Sequence, residues 1–258
     1  MTGSPSTASA ASPRWWAVRT RISPATRARL RHVVDPAFRP IASIRDVSTT
    51  DSTLTLTFDD GPDSQVTPGV LQQLDAYGAT ATFFVLVDAA ARNPGLTREI
   101  RAAGHDVALH GLDHQRLTEL DFRHATDHVR EGRERLEDLL SSAVSWIRPP
   151  YGAMSPVTAL AVRRAGLRPV VWGPVGYDWT DRTEDEVAAS VMSSAEPGSI
   201  VLLHDGLWLP EGEQRPATDR AHSAGLVLRD CRARGLQCVS LSRALDRGRV
   251  VRSAWFRS

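Results

Sequence analysis

The feature that most constrains the fold is an alternation of short β-type segments with helix-patterned segments between residues 52 and 241. In the segment Ser52–Phe58 threonines alternate with apolar residues, and Gly69–Tyr77 after it has apolar residues at helical spacing. Such alternation is typical of α/β proteins, in which each helix carries the chain back to a parallel strand. We therefore expect the α/β class, with about seven mostly parallel strands in a barrel or an open sheet.

The same pattern sets the expected boundaries. The predicted strands are Ser52–Phe58, Ala81–Val87, Asp106–His110, Val144–Ile147, Pro169–Trp172, Ser199–His204 and Gln237–Leu241. The predicted helices are Gly69–Tyr77, Leu96–Ala103, Asp121–Leu140, Val157–Ala165, Thr183–Ser193 and Ala224–Arg234. We expect one domain over residues 41–247, an N-terminal extension at 1–40 and a C-terminal tail at 248–258.

The N-terminal extension differs in composition from the domain. Residues 1 to about 13 are small, polar and proline-bearing, so we expect them to be disordered. The rest of the extension is rich in arginine, carries Trp15 and Trp16, and includes a short predicted helix at Pro24–Val34. We interpret it as an arm packed on the domain, and the alternative is contact with a membrane surface or an acidic polymer.

Composition excludes several classes of protein. Hydrophobic residues make up 41% of the chain and charged residues 24%, which suits an ordinary globular core. The formal net charge of +1 provides no overall positive electrostatic potential that would attract nucleic acid. All 31 basic residues are arginine, so lysine-dependent catalysis is excluded. Two cysteines, Cys231 and Cys238, predict free thiols, with a disulfide between them left open.

No stretch has the length and apolarity of a transmembrane helix, so we expect no integral membrane segment. The first residues also lack the apolar region of a signal peptide. The sequence as written therefore predicts a cytoplasmic protein. A secreted or cell-surface protein is the alternative, if translation starts further upstream.

Ionisable residues gather where the predicted strands end. They are Asp59 and Asp60, His110, Arg148, Asp178, and His204 with Asp205. In parallel α/β folds the carboxyl ends of strands meet at one edge and build the active site. We therefore expect these side chains to share one site.

Asp59, Asp60, His110 and His114 predict a metal centre. Two adjacent carboxylates after a strand can divide the work, one ligating a metal and the other acting as a base. His110 and His114 are four residues apart, a spacing that places them on one face of a helical turn. Gly111 stands where zinc proteases carry their glutamate, so a protease is not indicated. The alternatives are an ordinary Asp-Asp-Gly-Pro turn and a solvated histidine pair, the assignment we give to His32, His105, His124, His128 and His222.

Two further motifs carry chemistry. In Arg148-Pro-Pro-Tyr-Gly the two prolines lack N–H groups, so Tyr151 has the first backbone N–H free to donate. The apolar strand from Gly198 ends in His204, whose side chain is a natural general acid or base at neutral pH. An ordinary loop and a histidine capped by its neighbouring Asp205 are the alternatives.

These motifs, in this order, resemble the polysaccharide deacetylases of carbohydrate esterase family 4, also called the NodB homology domain. The matching motifs are TFDDGP, HxxxH, RPPYG, Asp-Trp and LLHD, and the resemblance runs from about Leu54 to about Leu245. It implies an irregular (β/α) barrel. It also implies a metal-dependent hydrolase that removes N-acetyl groups from an amino sugar in a polysaccharide or glycoside.

The resemblance implies a role for each motif residue. It implies that Asp60, His110 and His114 bind one divalent ion, with zinc expected first and cobalt, nickel or manganese as alternatives. It implies the following further roles: Asp59 as base, Arg148 as its partner, the Tyr151 N–H as oxyanion donor, His204 as acid, Asp178 as the tuner of His204, and Trp179, Leu202 and Pro150 as substrate contacts.

The chain departs from the family pattern in two places. Gly111 replaces the usual Ser or Thr after the first histidine, which predicts a looser loop with the metal site retained. The Asp178-Trp179 pair is kept, but the spacing upstream of it is less usual, and Asp181 is a second candidate for tuning His204. The loop from Trp208 to Arg220, with Glu211 and Glu213, could line a sugar subsite or be a solvated loop.

Two other functions stay open beside the carbohydrate de-N-acetylase. One is a deacylase or deformylase of an intracellular lipid-linked or small-molecule amino sugar. The other is a non-catalytic sugar-binding member of the fold. Such a member would be expected to have lost a site residue, and this chain retains all of them.

Overall fold

The computed structural model describes residues 39–209 and 212–257. The expectations for the N-terminal extension, including its helix at Pro24–Val34, therefore fall almost wholly outside the described residues. Within these ranges no helix is both long enough and apolar enough to cross a membrane. The two cysteines are free and buried, as expected.

Strands and helices alternate along the described part of the chain. The strands are β1 Ser43–Ser48, β2 Thr53–Asp59, β3 Thr82–Leu86, β4 Asp106–Gly111, β5 Trp146–Ile147, β6 Arg168–Pro169, β7 Ile200–His204, β8 Gln237–Val239 and β9 Arg249–Ser253. The helices are α1 Thr67–Ala76, α2 Val87–Arg92, α3 Pro94–Ala102, α4 Phe122–Leu140, α5 Pro156–Arg164, α6 Glu184–Met192, α7 Arg220–Ala233 and α8 Leu241–Arg247.

The main sheet has seven strands in the order β6-β5-β4-β3-β2-β7, with β8 paired to the start of β2. All of its pairings are parallel, so the predicted α/β barrel-like fold of about seven parallel strands is confirmed. Parallel pairing aligns the carboxyl ends of the strands. In the register of β2 and β7, Asp59 lies beside His204.

The gap between β6 and β7 is crossed by β1, which the sequence pattern did not predict. Ile44 of β1 bridges to Val170 just after β6, and Asp46 bridges to Ser199 just before β7. β9 pairs antiparallel with β1 over Ser43–Ser48. Residues 249–253, which the sequence analysis assigned to the C-terminal tail, thus form a strand paired with β1. The local sequence of β1 or β9 does not indicate which strand it pairs with, because the two strands are far apart in sequence.

Successive residues of the central strands face opposite sides of the sheet. Phe83 packs under the helices with Phe58, at 5.1 Å between ring centroids. Phe84 points into the barrel and packs with Ile44 and Val170. Burial on both faces explains why β3, with the sequence TFFVL, is apolar over almost its whole length.

Side-chain caps fix several helix starts. Asp121 accepts a hydrogen bond from the backbone of His124 at the start of α4, and Thr183 forms the predicted capping box at α6. α7 begins at Arg220, earlier than predicted, because the Asp219 side chain caps it. The short helices α2 and α8 were not predicted.

Candidate active site

The loops after the parallel strands open on one cavity of about 460 Å³. Its wall includes Asp59, Asp60, His110, His114 and His204, as well as the half-exposed Tyr151. The expectation that the strand-end residues share one site agrees with this placement. A cavity of this size is within the usual range for small-molecule sites.

Asp60, His110 and His114 form the candidate metal centre. The Oδ1 atom of Asp60 lies 3.2 Å from Nε2 of His110 and 3.3 Å from Nε2 of His114. All three candidate ligand atoms lie within 4.8 Å of one another, and all three residues are buried. Despite these short distances, Asp60 Oδ1 has no hydrogen-bond partner among the described residues. A buried carboxylate oxygen of this kind fits a site for a divalent ion.

The protonation states suit the same interpretation. Burial would raise the pKa of the Asp60 carboxyl, but contacts with His110 and His114 outweigh burial and hold the pKa well below its usual value. Burial lowers the pKa of His114, which favours the neutral imidazole. An ionised carboxylate and a neutral imidazole are the forms that bind metals.

The two histidines do not share a helical turn, which corrects the reason given for their spacing. His110 lies near the end of β4, and His114 lies beyond it with φ 64°. Asp60 has φ 71° just past the end of β2. Gly111, with φ 148°, adopts a conformation that side-chain-bearing residues rarely take. Positive φ angles therefore turn these short segments into the cavity.

Asp59 and Arg148 form a buried ion pair beside the metal centre. The Arg148 guanidinium donates to Oδ1 of Asp59 at 2.6 Å and to Oγ1 of Thr57 at 2.8 Å. Arg148 is fully buried and lies 4.2 Å above the ring of Phe84. Burial lowers the pKa of Arg148, and the neighbouring Asp59 counteracts this effect. The pair leaves neither group isolated in the domain interior.

His204 and Asp178 form the second charged pair. Asp178 accepts from the His204 backbone N–H at 2.7 Å and lies 2.8 Å from Nδ1 of its ring. Burial would lower the pKa of His204, but the charge and hydrogen bond of Asp178, with the charges of Asp60 and Asp59, together outweigh burial and raise the pKa to about 9. Asp178, rather than the exposed Asp181, is thus the carboxylate in contact with His204.

The predicted substrate contacts divide into two groups. Leu202 and Trp179 line the cavity, and the Trp179 ring packs edge-on against His204 at 5.1 Å. Pro150 is not part of the cavity wall. It is buried, and its Cγ atom lies 3.4 Å from where a side chain on Gly111 would begin.

Trp208 is the main cavity residue whose role the sequence left open. Its ring stacks on His114 at 4.8 Å, and its backbone N–H donates to Asp60 Oδ2 at 3.0 Å. Trp208 and Glu213 line the cavity, whereas Glu211 lies outside the described residues. Trp172, also in the wall, was missed, because sequence patterns gave it no role beyond the end of a strand.

Asp205 is buried behind the site and does not line the cavity. Thr67 donates its hydroxyl to Asp205 Oδ2 at 2.6 Å. Burial raises the pKa of the Asp205 carboxyl to about 7. This side chain packs directly against Gly61, which follows the metal-centre residue Asp60.

The chain matches known proteins over this region. The polysaccharide deacetylase family model matches residues 46–170. A chitooligosaccharide deacetylase from Bradyrhizobium sp. (strain ANU 289) is 37% identical over 187 residues, which are 70% of this chain and 84% of that protein. The peptidoglycan-N-acetylglucosamine deacetylase PgdA from Listeria monocytogenes serotype 1/2a (strain 10403S) is 36% identical over 156 residues. That match spans 60% of this chain but only 33% of the Listeria protein.

A solved structure agrees with these matches. The peptidoglycan deacetylase PdaC from Bacillus subtilis superposes with a TM-score of 0.67 at 26% identity, over 76% of this chain and 93% of that one. Sequence and fold similarity thus point to one family. The chain belongs to the polysaccharide deacetylase family and is a hydrolase of non-peptide carbon–nitrogen bonds.

Proposed function

We propose that this protein removes the acetyl group from an N-acetylated amino sugar in a polysaccharide or glycoside. The observation that carries the proposal is the meeting, in one cavity, of the Asp60–His110–His114 cluster with two separately partnered groups, Asp59 and His204. Deacetylase relatives that act on chitooligosaccharides and peptidoglycan support the amino-sugar substrate.

A divalent ion belongs to the proposal, with zinc first and cobalt, nickel or manganese as alternatives. One carboxylate and two imidazoles are a common donor set for such ions at catalytic sites. The chemistry that the ion supplies when bound is a lowered water pKa and a polarised acyl carbonyl. Asp60, His110 and His114 would hold it.

The residues of the chain then divide the proton work. Asp59, held by Arg148, accepts the proton of the attacking water. His204 is protonated at neutral pH because its pKa lies near 9, and it donates a proton to the leaving amine. The Tyr151 backbone N–H donates to the developing oxyanion. Leu202 and Trp179 surround the acetyl methyl group.

The test combines metal content with acetate release from N-acetylglucosamine oligomers. We expect wild type to bind about one divalent ion per chain and release acetate. Asp60→Ala should lose both, whereas Asp59→Asn should retain the metal and lose about 10²–10⁴ in rate. Asp51→Asn, at an exposed position before β2, is the matched control and should equal wild type.

Assays on further substrates distinguish the proposed function from its alternatives. N-formyl and small soluble amino-sugar glycosides are assayed beside the oligomers. Activity confined to those substrates would replace the polymer proposal by the deacylase or deformylase alternative. Metal-loaded wild type that cleaves none of the substrates contradicts the proposed function, and the sugar-binding alternative would then lead.

A further inference from the structure

The turn that carries Tyr151 has an unfavourable backbone conformation, which contacts with other parts of the molecule must stabilise. Tyr151 has φ 59° and Gly152 has φ 61°, so two successive residues adopt the left-handed conformation. For a tyrosine this conformation is unfavourable unless the surroundings enforce it. Within the turn, Gly152 N–H donates to Pro149 O and Ala153 N–H donates to Pro150 O.

A segment far along the chain is bound to this turn. Met154 and Arg257 exchange two backbone hydrogen bonds, of 2.7 and 2.8 Å, in an antiparallel bridge. The indole N–H of Trp255, two residues before Arg257, donates to the carbonyl of Gly152 at 3.1 Å. Only 8% of Trp255 is exposed. We call residues 254–257 the C-terminal clamp.

The clamp also packs against the cavity wall. The Trp255 ring lies 5.2 Å from the ring of Trp172, which lines the cavity. The Arg257 guanidinium packs over the same two rings. It lies 3.4 Å from the Trp255 ring centroid and 5.8 Å from that of Trp172. A Cβ atom on Gly152 would lie 2.6 Å from the Trp172 ring, so the packing against Trp172 leaves no room for a side chain at position 152.

We propose that Trp255 is a positioning residue for the reaction. By holding the Gly152 carbonyl, its indole N–H fixes the turn in the conformation that directs the Tyr151 backbone N–H at the developing oxyanion. The inference rests on the proposed function for the role of Tyr151, whereas the contact itself does not depend on that function. Donors preorganised in this way act on the transition state more than on the bound substrate, so kcat should respond rather than KM.

The test removes the indole N–H and keeps an aromatic ring. Trp255→Phe should lower kcat about tenfold, the scale of one lost hydrogen bond, with KM and bound metal unchanged. Hydrogen exchange of the peptide covering residues 150–154 should quicken in the metal-free protein, a readout that needs no activity. The matched control is Trp146→Phe, because the Trp146 N–H has no hydrogen-bond partner among the described residues.

Each contrary outcome has one meaning. Unchanged exchange at residues 150–154 in folded Trp255→Phe overturns the clamp. Faster exchange with unchanged kcat overturns the positioning role. Parallel losses of kcat, substrate affinity and bound metal would indicate a general structural role and would also overturn the proposal. An inactive wild type contradicts the proposed function instead, and the exchange comparison still decides whether the clamp exists. Trp255→Leu provides a second variant if the Phe variant does not fold.

Discussion

At the scale of single residues, the proposed proton acceptor and the proposed proton donor differ in the charge of their neighbours. Asp59 faces a buried arginine, and His204 faces a buried carboxylate. The two lie side by side on neighbouring strands, so the substrate amide can reach both. The two groups thus have neighbours of opposite charge within one small cavity, the arrangement that lets a site divide acid and base roles between two residues.

The pH dependence of the reaction should report the His204–Asp178 pair. A pKa raised to about 9 means that the ring is protonated at neutral pH and loses its proton as the pH rises through that value. The rate should therefore fall on the alkaline side near pH 9. In Asp178→Asn this alkaline limb should move to lower pH, and kcat at pH 7 should fall by about 10². The measurement is kcat/KM against pH, and kcat at pH 7.

Asp181→Asn is the control for this comparison, since its carboxylate is exposed and close in sequence. It should keep the wild-type profile. If Asp181→Asn moved the alkaline limb and Asp178→Asn did not, the assignment of the tuning carboxylate would be wrong.

At the scale of elements, the starts of the loops after β2 and β7 pack backbone against backbone. A Cβ atom on Gly206 would lie 2.6 Å from both the carbonyl carbon and oxygen of Asp60. Backbone atoms cannot move aside as a flexible side chain can. The loop after β7 therefore helps to fix the position of Asp60, the candidate metal ligand just past the end of β2.

Gly206→Ala should consequently weaken metal binding and stability together. Overpacking of this kind costs about 1–3 kcal/mol, a loss of several degrees in Tm for a domain of this size. The measurements are the metal dissociation constant and the melting temperature without metal. Gly95→Ala is the control, since no atom lies within 4 Å of its Cβ position, and it should leave metal binding unchanged. Wild-type metal affinity in Gly206→Ala would contradict the proposed packing.

The Trp208 loop should contribute to substrate binding. The indole is 41% exposed while one face covers His114, so its outer surface is free to stack on a sugar ring. Trp208→Ala should raise KM for N-acetylglucosamine oligomers about fivefold, with a smaller effect on a single-sugar substrate. Its backbone N–H contact with Asp60 survives the substitution, so bound metal should be unchanged.

Phe122→Ala is the matched control for Trp208→Ala, because Phe122 is similarly exposed, at 39%, and does not line the cavity. Equal effects on oligomers and single sugars would mean that Trp208 shapes the centre itself and does not bind a neighbouring sugar.

At the scale of the whole molecule, the barrel is completed by strands from the two ends of the domain. β1 lies across the gap between β6 and β7, and β9 covers its outer edge. Ile44 of β1 is fully buried with Phe84 and Val170 in the barrel interior. Closure therefore depends on a hydrophobic contact between distant parts of the sequence.

Ile44→Ala should lower the free energy of unfolding by about 2–5 kcal/mol, because it leaves a cavity in this interior. Chemical denaturation is the measurement. Val251→Ala on β9, where the side chain is 38% exposed, should cost less than about 0.5 kcal/mol. Similar losses for the two variants would show that β1 does not seal the barrel.

The sequence by itself determined the α/β class and the succession of strands along the chain, and it predicted the candidate site residues. Each of these is written locally, because strands, helices and caps follow from short-range patterns. Because the strands pair in parallel, Asp60, His110 and His204, which lie at or near strand ends, come to the same edge of the sheet. Five ordered motifs were enough to indicate the family.

The tertiary structure decided what local patterns do not contain. The positive φ angles that bring His114 to Asp60, the choice of Asp178 over Asp181, and the closure by β1 and β9 all depend on residues far apart in sequence. The same holds for the contact of Trp255 with Gly152. The physical reason is that contacts between distant segments add stability only once the long loops between them have closed and the whole barrel has formed.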